Sequence, residues 1–367
     1  MNGRRVIISG GGTGGHLYPA IVVGRKLQEI DPTIELTFVG THRDVEKRIM
    51  DDHGVQFIPI KIEGLKGRGL KSLKSTAVLP VAFGQSLAVL RQTKPRLVIG
   101  VGGFSSGPIV LLASWLGIPT LIMEQNARPG FTNRLLGRWV RKAVVAFPSS
   151  LAYFKGKGVC LGNPVREEFY ALRARPRVEG LSVLVFGGSQ GSRFLNEKMT
   201  AALPLLAPTR DGFCITHQTG ARDLEWVTAR YRASGYEMRA EVVPYITDMP
   251  GVFGRADLIV SRAGATTLAE LMAARKAAIL VPFAGAAEDH QTLNARELEA
   301  VGGAEVIPEL RLTPEVLAGR LFHYMNSPAE LNAMEKKLAA LGIENPAEKI
   351  AGLCLSLMTG NGQEQRA

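Results

Sequence analysis

The sequence of 367 residues holds only three cysteines, Cys160, Cys214 and Cys354. An odd number of widely spaced thiols gives neither a disulfide framework nor a Cys-x-x-Cys knuckle, so they read as reduced, buried side chains. The other metal-ligand patterns are also missing, since there is no HExxH and no Asp-x-Asp; no metal is implied. Aromatic residues reach only 7% and do not interleave with basic clusters, which argues against a nucleic-acid surface. No uninterrupted apolar run reaches the roughly 18 residues of a membrane span. The longest candidate, PIVLLASWLGIPTLIM from Pro108, is broken by Gly117 and Pro119. After Arg4 and Arg5 the apolar run stops at Ser9 and turns to glycine, so no signal-peptide core forms. Together these absences point to a cytoplasmic chain that does not cross a membrane.

The net charge of +11 is unevenly spread. Residues 1–160 hold 22 Lys and Arg against 9 Asp and Glu, whereas residues 161–367 hold 22 against 24. A basic first half suits an anionic partner: nucleic acid, anionic lipid or a phosphorylated substrate. The length and the 46% apolar content suit two domains, each with its own core. Apolar strand-like runs alternate with helical stretches from RRVIISG to KAVVAF, and the pattern restarts at LSVLVFGGSQGSRF. This is the signature of α/β chains with parallel sheets. We expect two doubly wound, Rossmann-like domains, residues 1–162 and 163–343, joined near Leu161-Gly162-Asn163-Pro164. Ligands in such sheets bind beyond the carboxyl ends of the strands, so the expected site is a cleft between the two.

Three glycine loops follow strands: Gly10 to Gly15, Gly102 to Gly107, and Gly187 to Gly191. A strand, a glycine turn and a helix N-terminus present unpaired N–H groups and about half a unit of positive dipole charge, which suits phosphate. Gly10, Gly12 and Gly15 satisfy GxGxxG, but IELTFVG leads into Thr41 and His42 where a dinucleotide site expects an acid. A P-loop fails as well, because His16 stands where lysine is needed. His16 opens the helix after the loop, where positive potential favours the neutral ring and so a general base; binding phosphate or the loop is the other role open to it. His42, His53, His217 and His323 have no chemical company in sequence and read as surface or packing residues. Glu124-Gln125-Asn126 ends the strand PTLIM, and Glu270 lies one turn into the helix after SRAGATT. Both carboxylates are candidates for a site at strand ends.

GGTGGH, GVGGFSSGP, EQNARPG, GNPVR, GGSQGS, SRAGATTLAE and DHQTLNA occur in this order over nearly the whole chain. The series closely resembles the MurG family of bacterial glycosyltransferases. These have the GT-B fold and transfer N-acetylglucosamine from UDP-N-acetylglucosamine to the C4 hydroxyl of N-acetylmuramyl-pentapeptide pyrophosphoryl-undecaprenol (lipid I), with inversion, in peptidoglycan synthesis. The resemblance implies donor contacts at Thr13, Gly14 and Gly15, at Asn126 on the N-acetylglucosamine, and at Arg166 and Ser189 near the diphosphate. It further implies that the Ile246 backbone meets uracil and that Ala265, Thr266, Thr267, Leu268, Ala269 and Glu270 hold diphosphate and ribose. Gln291 would read the sugar hydroxyls; His290 departs from members with two adjacent glutamines, which puts its part in doubt. His16 is then the candidate base, with Glu124 as the alternative or the group orienting it, and no cofactor is expected.

A lipid-borne acceptor accounts for the basic first half. Lys61, Lys66, Arg68, Lys71 and Lys74 precede TAVLPVAFGQSLAVL, residues 76–90. This segment is expected on the anionic cytoplasmic face of the inner membrane, held peripherally; a core helix with a basic flank is the alternative. The stretch about 344–360 is expected to pack back on the first domain, and the tail TGNGQEQRA to be disordered. Two other functions remain open, a GT-B enzyme with a different acceptor and a nucleotide- or nucleic-acid-binding module without catalysis.

Overall fold

The computed structural model describes residues 4–11, 14–62, 70–173 and 180–360. Thr13, Lys66, Arg68 and most of the C-terminal tail lie outside the described residues. The chain divides into two compact units, residues 1–165 with 346–367, and residues 166–345.

In the first unit, β1 (Arg4–Ser9), β2 (Ile34–Gly40), β3 (Gln56–Pro59), β4 (Leu97–Gly100), β5 (Thr120–Glu124), β6 (Lys142–Val145) and β7 (Gly158–Cys160) form one parallel sheet. Its order is β3-β2-β1-β4-β5-β6-β7. Between the strands run α1 (Gly14–Ile30), α2 (Asp44–Asp52), α3 (Leu70–Thr93), α4 (Ser106–Trp115) and α5 (Phe131–Leu136). The central strands are continuous apolar runs because helices cover both faces of the sheet. Val6 and Ile8 point into one core and Ile7 into the other. Each such buried aliphatic contributes roughly 1.5–3 kcal/mol. Since β1 pairs with β2 on one side and β4 on the other, strand order reverses there, and the ligand crevice of such a sheet lies at that reversal.

The second unit contains α6 (Glu167–Ala171), β8 (Leu181–Phe186), α7 (Arg193–Leu206), β9 (Phe213–Gln218), α8 (Leu224–Ala233), β10 (Ala240–Val243) and α9 (Met249–Arg255). It continues through β11 (Leu258–Ser261), α10 (Ala265–Ala274), β12 (Ala278–Leu280), α11 (His290–Ala300), β13 (Ala304–Val306), α12 (Pro314–Asn326) and α13 (Pro328–Ala340). The parallel order β10-β9-β8-β11-β12-β13 again reverses beside its first strand, between β8 and β11. Three helices of this unit start at side-chain caps: Ser192, Asp248 and Thr313 accept the backbone N–H groups of Leu195, Gly251 and Val316.

The chain then returns to the first unit. In α14 (Ala347–Thr359), Ile350, Ala351, Cys354 and Leu357 line one helical face. That face joins Leu17, Ala20, Val6 and Ile8 in a single core. Burial pushes the Cys354 thiol up to about 12. The expectation of buried thiols holds only for Cys354, because Cys160 and Cys214 are exposed. Cys160 lies on the edge strand β7, and Cys214 on β9 points to the sheet face opposite the core packed by α7, α8 and α12.

Candidate active site

In the first unit the loops after β1 and β4 touch backbone to backbone. Gly103 has φ +79, and a Cβ there would lie 2.5 Å from the Gly11 carbonyl oxygen, so only glycine permits the approach. The neighbouring Gly102, φ +94, lies against the His16 ring: a Cβ at 102 would be 3.3 Å from its Cδ2 and Nε2, and 3.7 Å from the Asn133 amide nitrogen. Gly14, Gly15 and His16 form the first turn of α1, at the crevice end of β1.

Glu124, the last residue of β5, is buried and accepts four hydrogen bonds. Its Oε1 takes the backbone N–H of Asn126 at 2.9 Å and the Asn126 amide at 3.1 Å. Its Oε2 takes the Gly130 N–H at 3.0 Å and the Asn133 amide at 2.9 Å. Burial raises the carboxyl above its ordinary range, against the pull of these donors. The carboxylate thus folds the EQNARPG loop about itself and, through Asn133, reaches the neighbourhood of His16.

Sequence reasoning found no acid near the first glycine loop; the fold supplies one. Glu46 of α2 is 1% exposed and accepts the N–H and hydroxyl of Thr41 at 2.6 and 2.9 Å. A Cβ on Gly11 would lie 2.7 Å from its Oε1. Its helix, not the end of the second strand, carries it there, so strand-end inspection missed it.

In the second unit the expected residues sit at the carboxyl ends of strands. Ser189 is exposed on the turn after β8, where Gly188 and Gly191 have positive φ. Ala265, Thr266, Thr267, Leu268, Ala269 and Glu270 form the first turns of α10, whose N-cap, Gly264, offers no side chain to its N–H groups. The positive end of this helix stands at the β8/β11 reversal and suits an anion. Burial raises Glu270 to about 7, and the charge of Arg166 pulls it the other way. Arg166 opens α6, its guanidinium 5.3 Å from the Phe169 ring centre. Gln291 lies in the first turn of α11 and accepts the Phe283 N–H at 3.0 Å. His290 spends one ring nitrogen on the Ala287 carbonyl at 2.8 Å, a turn-forming role.

Two supporting side chains carried no sequence signal. Arg262 is 8% exposed, pairs with Glu309 at 2.5 Å, and donates to Ser192 Oγ and the Val281 carbonyl, both at 3.1 Å. It lies between the Phe194 and Phe283 rings, each centre 5.4 Å away, and so ties together the segments after β8, β11 and β12. Gln218 ends β9 and bonds to the loops on either side. Among the other histidines, His217 is a core residue bonded to Tyr231 and Asn196 at 3.0 Å, lowered to about 3 by burial. Among the described residues no cluster of three His, Cys, Asp or Glu could hold a metal ion.

Lys61 is exposed beyond β3; Lys71 and Lys74 lie on α3, which also holds residues 76–90. Among the described residues no helix is long and apolar enough to cross a membrane.

Comparison with known proteins covers both units. The Glycosyltransferase family 28 N-terminal domain matches residues 6–145, and the Glycosyltransferase family 28 C-terminal domain matches residues 182–351. A Myxococcus xanthus (strain DK1622) protein named "UDP-N-acetylglucosamine--N-acetylmuramyl-(pentapeptide) pyrophosphoryl-undecaprenol N-acetylglucosamine transferase" is 46% identical over 98% of this chain and 96% of its own. A Syntrophus aciditrophicus (strain SB) protein of the same name is 42% identical over 96% of this chain and 99% of its own. The crystal structure of Acinetobacter baumannii MurG superposes with a TM-score of 0.79 at 31% identity, covering 96% of this chain and 99% of that one.

Proposed function

The chain belongs to glycosyltransferase family 28, among the UDP-N-acetylglucosamine:N-acetylmuramyl-(pentapeptide) pyrophosphoryl-undecaprenol N-acetylglucosamine transferases, and we propose on that footing how its residues perform the transfer. The protein is a GT-B glycosyltransferase that moves N-acetylglucosamine from UDP-N-acetylglucosamine onto lipid I, giving the lipid-linked disaccharide lipid II.

The observation that carries the assignment of roles is the glycine-capped N-terminus of α10 at the carboxyl end of β11, beside Arg166 and Glu270. As the C1–O bond breaks, charge collects on the departing diphosphate. The amide dipoles of Ala265 to Thr267, Ser189 and Arg166 supply fixed positive potential there. Glu270 accepts from the ribose hydroxyls, the Ile246 backbone meets uracil, and Gln291 and Asn126 meet the sugar. Gly14, Gly15 and Thr13 complete the donor contacts. The acceptor hydroxyl loses its proton to His16, whose ring is braced by Gly102, and Glu124 positions the surrounding loop. A placed base contributes roughly 100- to 10,000-fold. Attack opposite the leaving group inverts the anomeric carbon. The first turn of α4, which starts at Ser106 inside GVGGFSSGP, suits the acceptor's own diphosphate.

Peripheral attachment to the anionic cytoplasmic membrane face is supported by charge. Residues 64–166 hold 15 Lys and Arg and a single carboxylate, Glu124, which is buried. Val81, Trp115 and Leu116 of the same unit are exposed apolar side chains. The full chain is expected to bind vesicles of anionic lipid and to release them in salt; equal affinity for neutral vesicles would remove the electrostatic part. Formation of lipid II from UDP-N-acetylglucosamine and lipid I tests the catalytic reading.

A further inference from the structure

Gln218 is 1% exposed and its one amide joins two loops that sequence places far apart. Its Nε2 donates to the Gly188 carbonyl at 2.8 Å, and its Oε1 accepts the Ile246 N–H at 3.0 Å. A donor must face the first partner and an acceptor the second, so the amide can take only one orientation. Sheet order explains the reach, because β9 lies between β8 and β10 and its last residue can span both neighbouring loops. The rest of this junction is closely packed. Gly191 also donates to the Gly188 carbonyl at 2.9 Å, and Gly220 donates to the Pro244 carbonyl at 3.1 Å. Glycine at 220 and 191 is enforced, since a Cβ would lie 2.1 Å from the Gln190 oxygen or 1.9 Å from the Thr219 oxygen.

We propose that Gln218 is a positioning residue for nucleotide recognition, coupling the phosphate loop after β8 to the peptide that reads the base after β10. The proposal rests on the transferase reading, which places uracil against the Ile246 backbone. With the Ile246 N–H drawn to Gln218, the trans, planar Tyr245–Ile246 peptide turns the Tyr245 carbonyl the opposite way. In this proposal the base meets that Tyr245 carbonyl, an acceptor. That acceptor complements the N3–H of uracil and repels the unprotonated N3 of cytosine, so the Gln218 clip favours UDP over CDP.

The test measures UDP and CDP binding by calorimetry, with kcat and KM for UDP-N-acetylglucosamine, on the full chain and two variants. Gln218→Leu removes both bonds. It is expected to raise the UDP Kd and the sugar nucleotide KM about tenfold, as for loss of one to two buried hydrogen bonds, with kcat within about threefold. The preference for UDP over CDP should shrink in step. Gln218→Glu keeps an acceptor for Ile246 but sets an oxygen against the Gly188 carbonyl. It should weaken UDP while preserving the base preference, and it decides the matter if the leucine variant does not fold. Unchanged UDP affinity in the folded variants, or a base preference equally intact in both, overturns the proposal. Wild-type protein that binds no UDP would overturn the transferase reading, and this inference with it.

Discussion

Asn133 donates its amide nitrogen to Glu124 at 2.9 Å, and the same nitrogen lies on the side of Gly102 that faces His16. A carboxylate whose two oxygens already hold four donors acts as an organiser of its loop. Glu124→Gln turns one of those oxygens into an NH2 group among donors, and unpairing a buried donor costs about 1–3 kcal/mol. The variant should therefore lose melting temperature together with kcat. Loss of kcat at unchanged melting temperature would make Glu124 the proton acceptor instead.

Gly103→Ala is expected to damage the first unit severely. The added methyl meets the Gly11 carbonyl oxygen at 2.5 Å, on a residue whose φ is +79. A cost of about 1–3 kcal/mol in stability is expected, with loss of turnover. Gly130→Ala is the control. Its φ is −62, a Cβ meets nothing within 4 Å, and its N–H to Glu124 survives the change. Equal effects of the two substitutions would show that close approach of the two loops is not what requires glycine.

Glu270, raised to about 7 by burial, should give donor binding a pH dependence. The ionised carboxylate accepts from both ribose hydroxyls, so KM for UDP-N-acetylglucosamine should rise as pH falls through about 7. Glu270→Gln should raise KM at high pH and flatten the profile. The sign for stability is opposite to that of a paired acid. A raised carboxyl keeps its proton longer in the folded state, so its contribution falls as pH climbs from the ordinary carboxylate value to about 7. The glutamine variant should therefore gain stability relative to wild type above that pH, read by denaturant unfolding at pH 6 and 8.

The buried pair Arg262 and Glu309 makes a separate prediction. Removing one partner strands a charge, so Glu309→Ala should cost about 3–5 kcal/mol. The double variant Arg262→Met, Glu309→Leu should recover much of that stability yet keep an elevated KM, because Ser192 and the Val281 carbonyl lose their tie. Recovery of both would reduce the pair to a packing element.

Much of the fold was legible because parallel strands covered on both faces read as apolar runs, and glycines mark the turns that follow them. VIISGGG and VLVFGGSQG open the two sheets at β1 and β8, which flank the two reversals. His16 and Glu270 were legible for the same reason, since each enters a helix after such a turn. Gln218, Glu46 and Arg262 were not. Arg262 meets Ser192 from 70 positions away, and Gln218 lies 28 to 30 positions from its partners. Only strand order brings such pairs together, and no local spacing announces it. The thiols were misjudged on the same ground, because the exposure of Cys160 and Cys214 depends on which strand forms an edge and which sheet face lies open.

The most direct measurement is disaccharide formation from UDP-N-acetylglucosamine and lipid I by wild type and His16→Ala, alongside UDP affinity. Wild type should yield the β-linked product, and the variant should lose roughly 100- to 10,000-fold in kcat with UDP binding intact. Full turnover by His16→Ala would remove it as the base. No product from the folded wild-type chain would contradict the transferase itself.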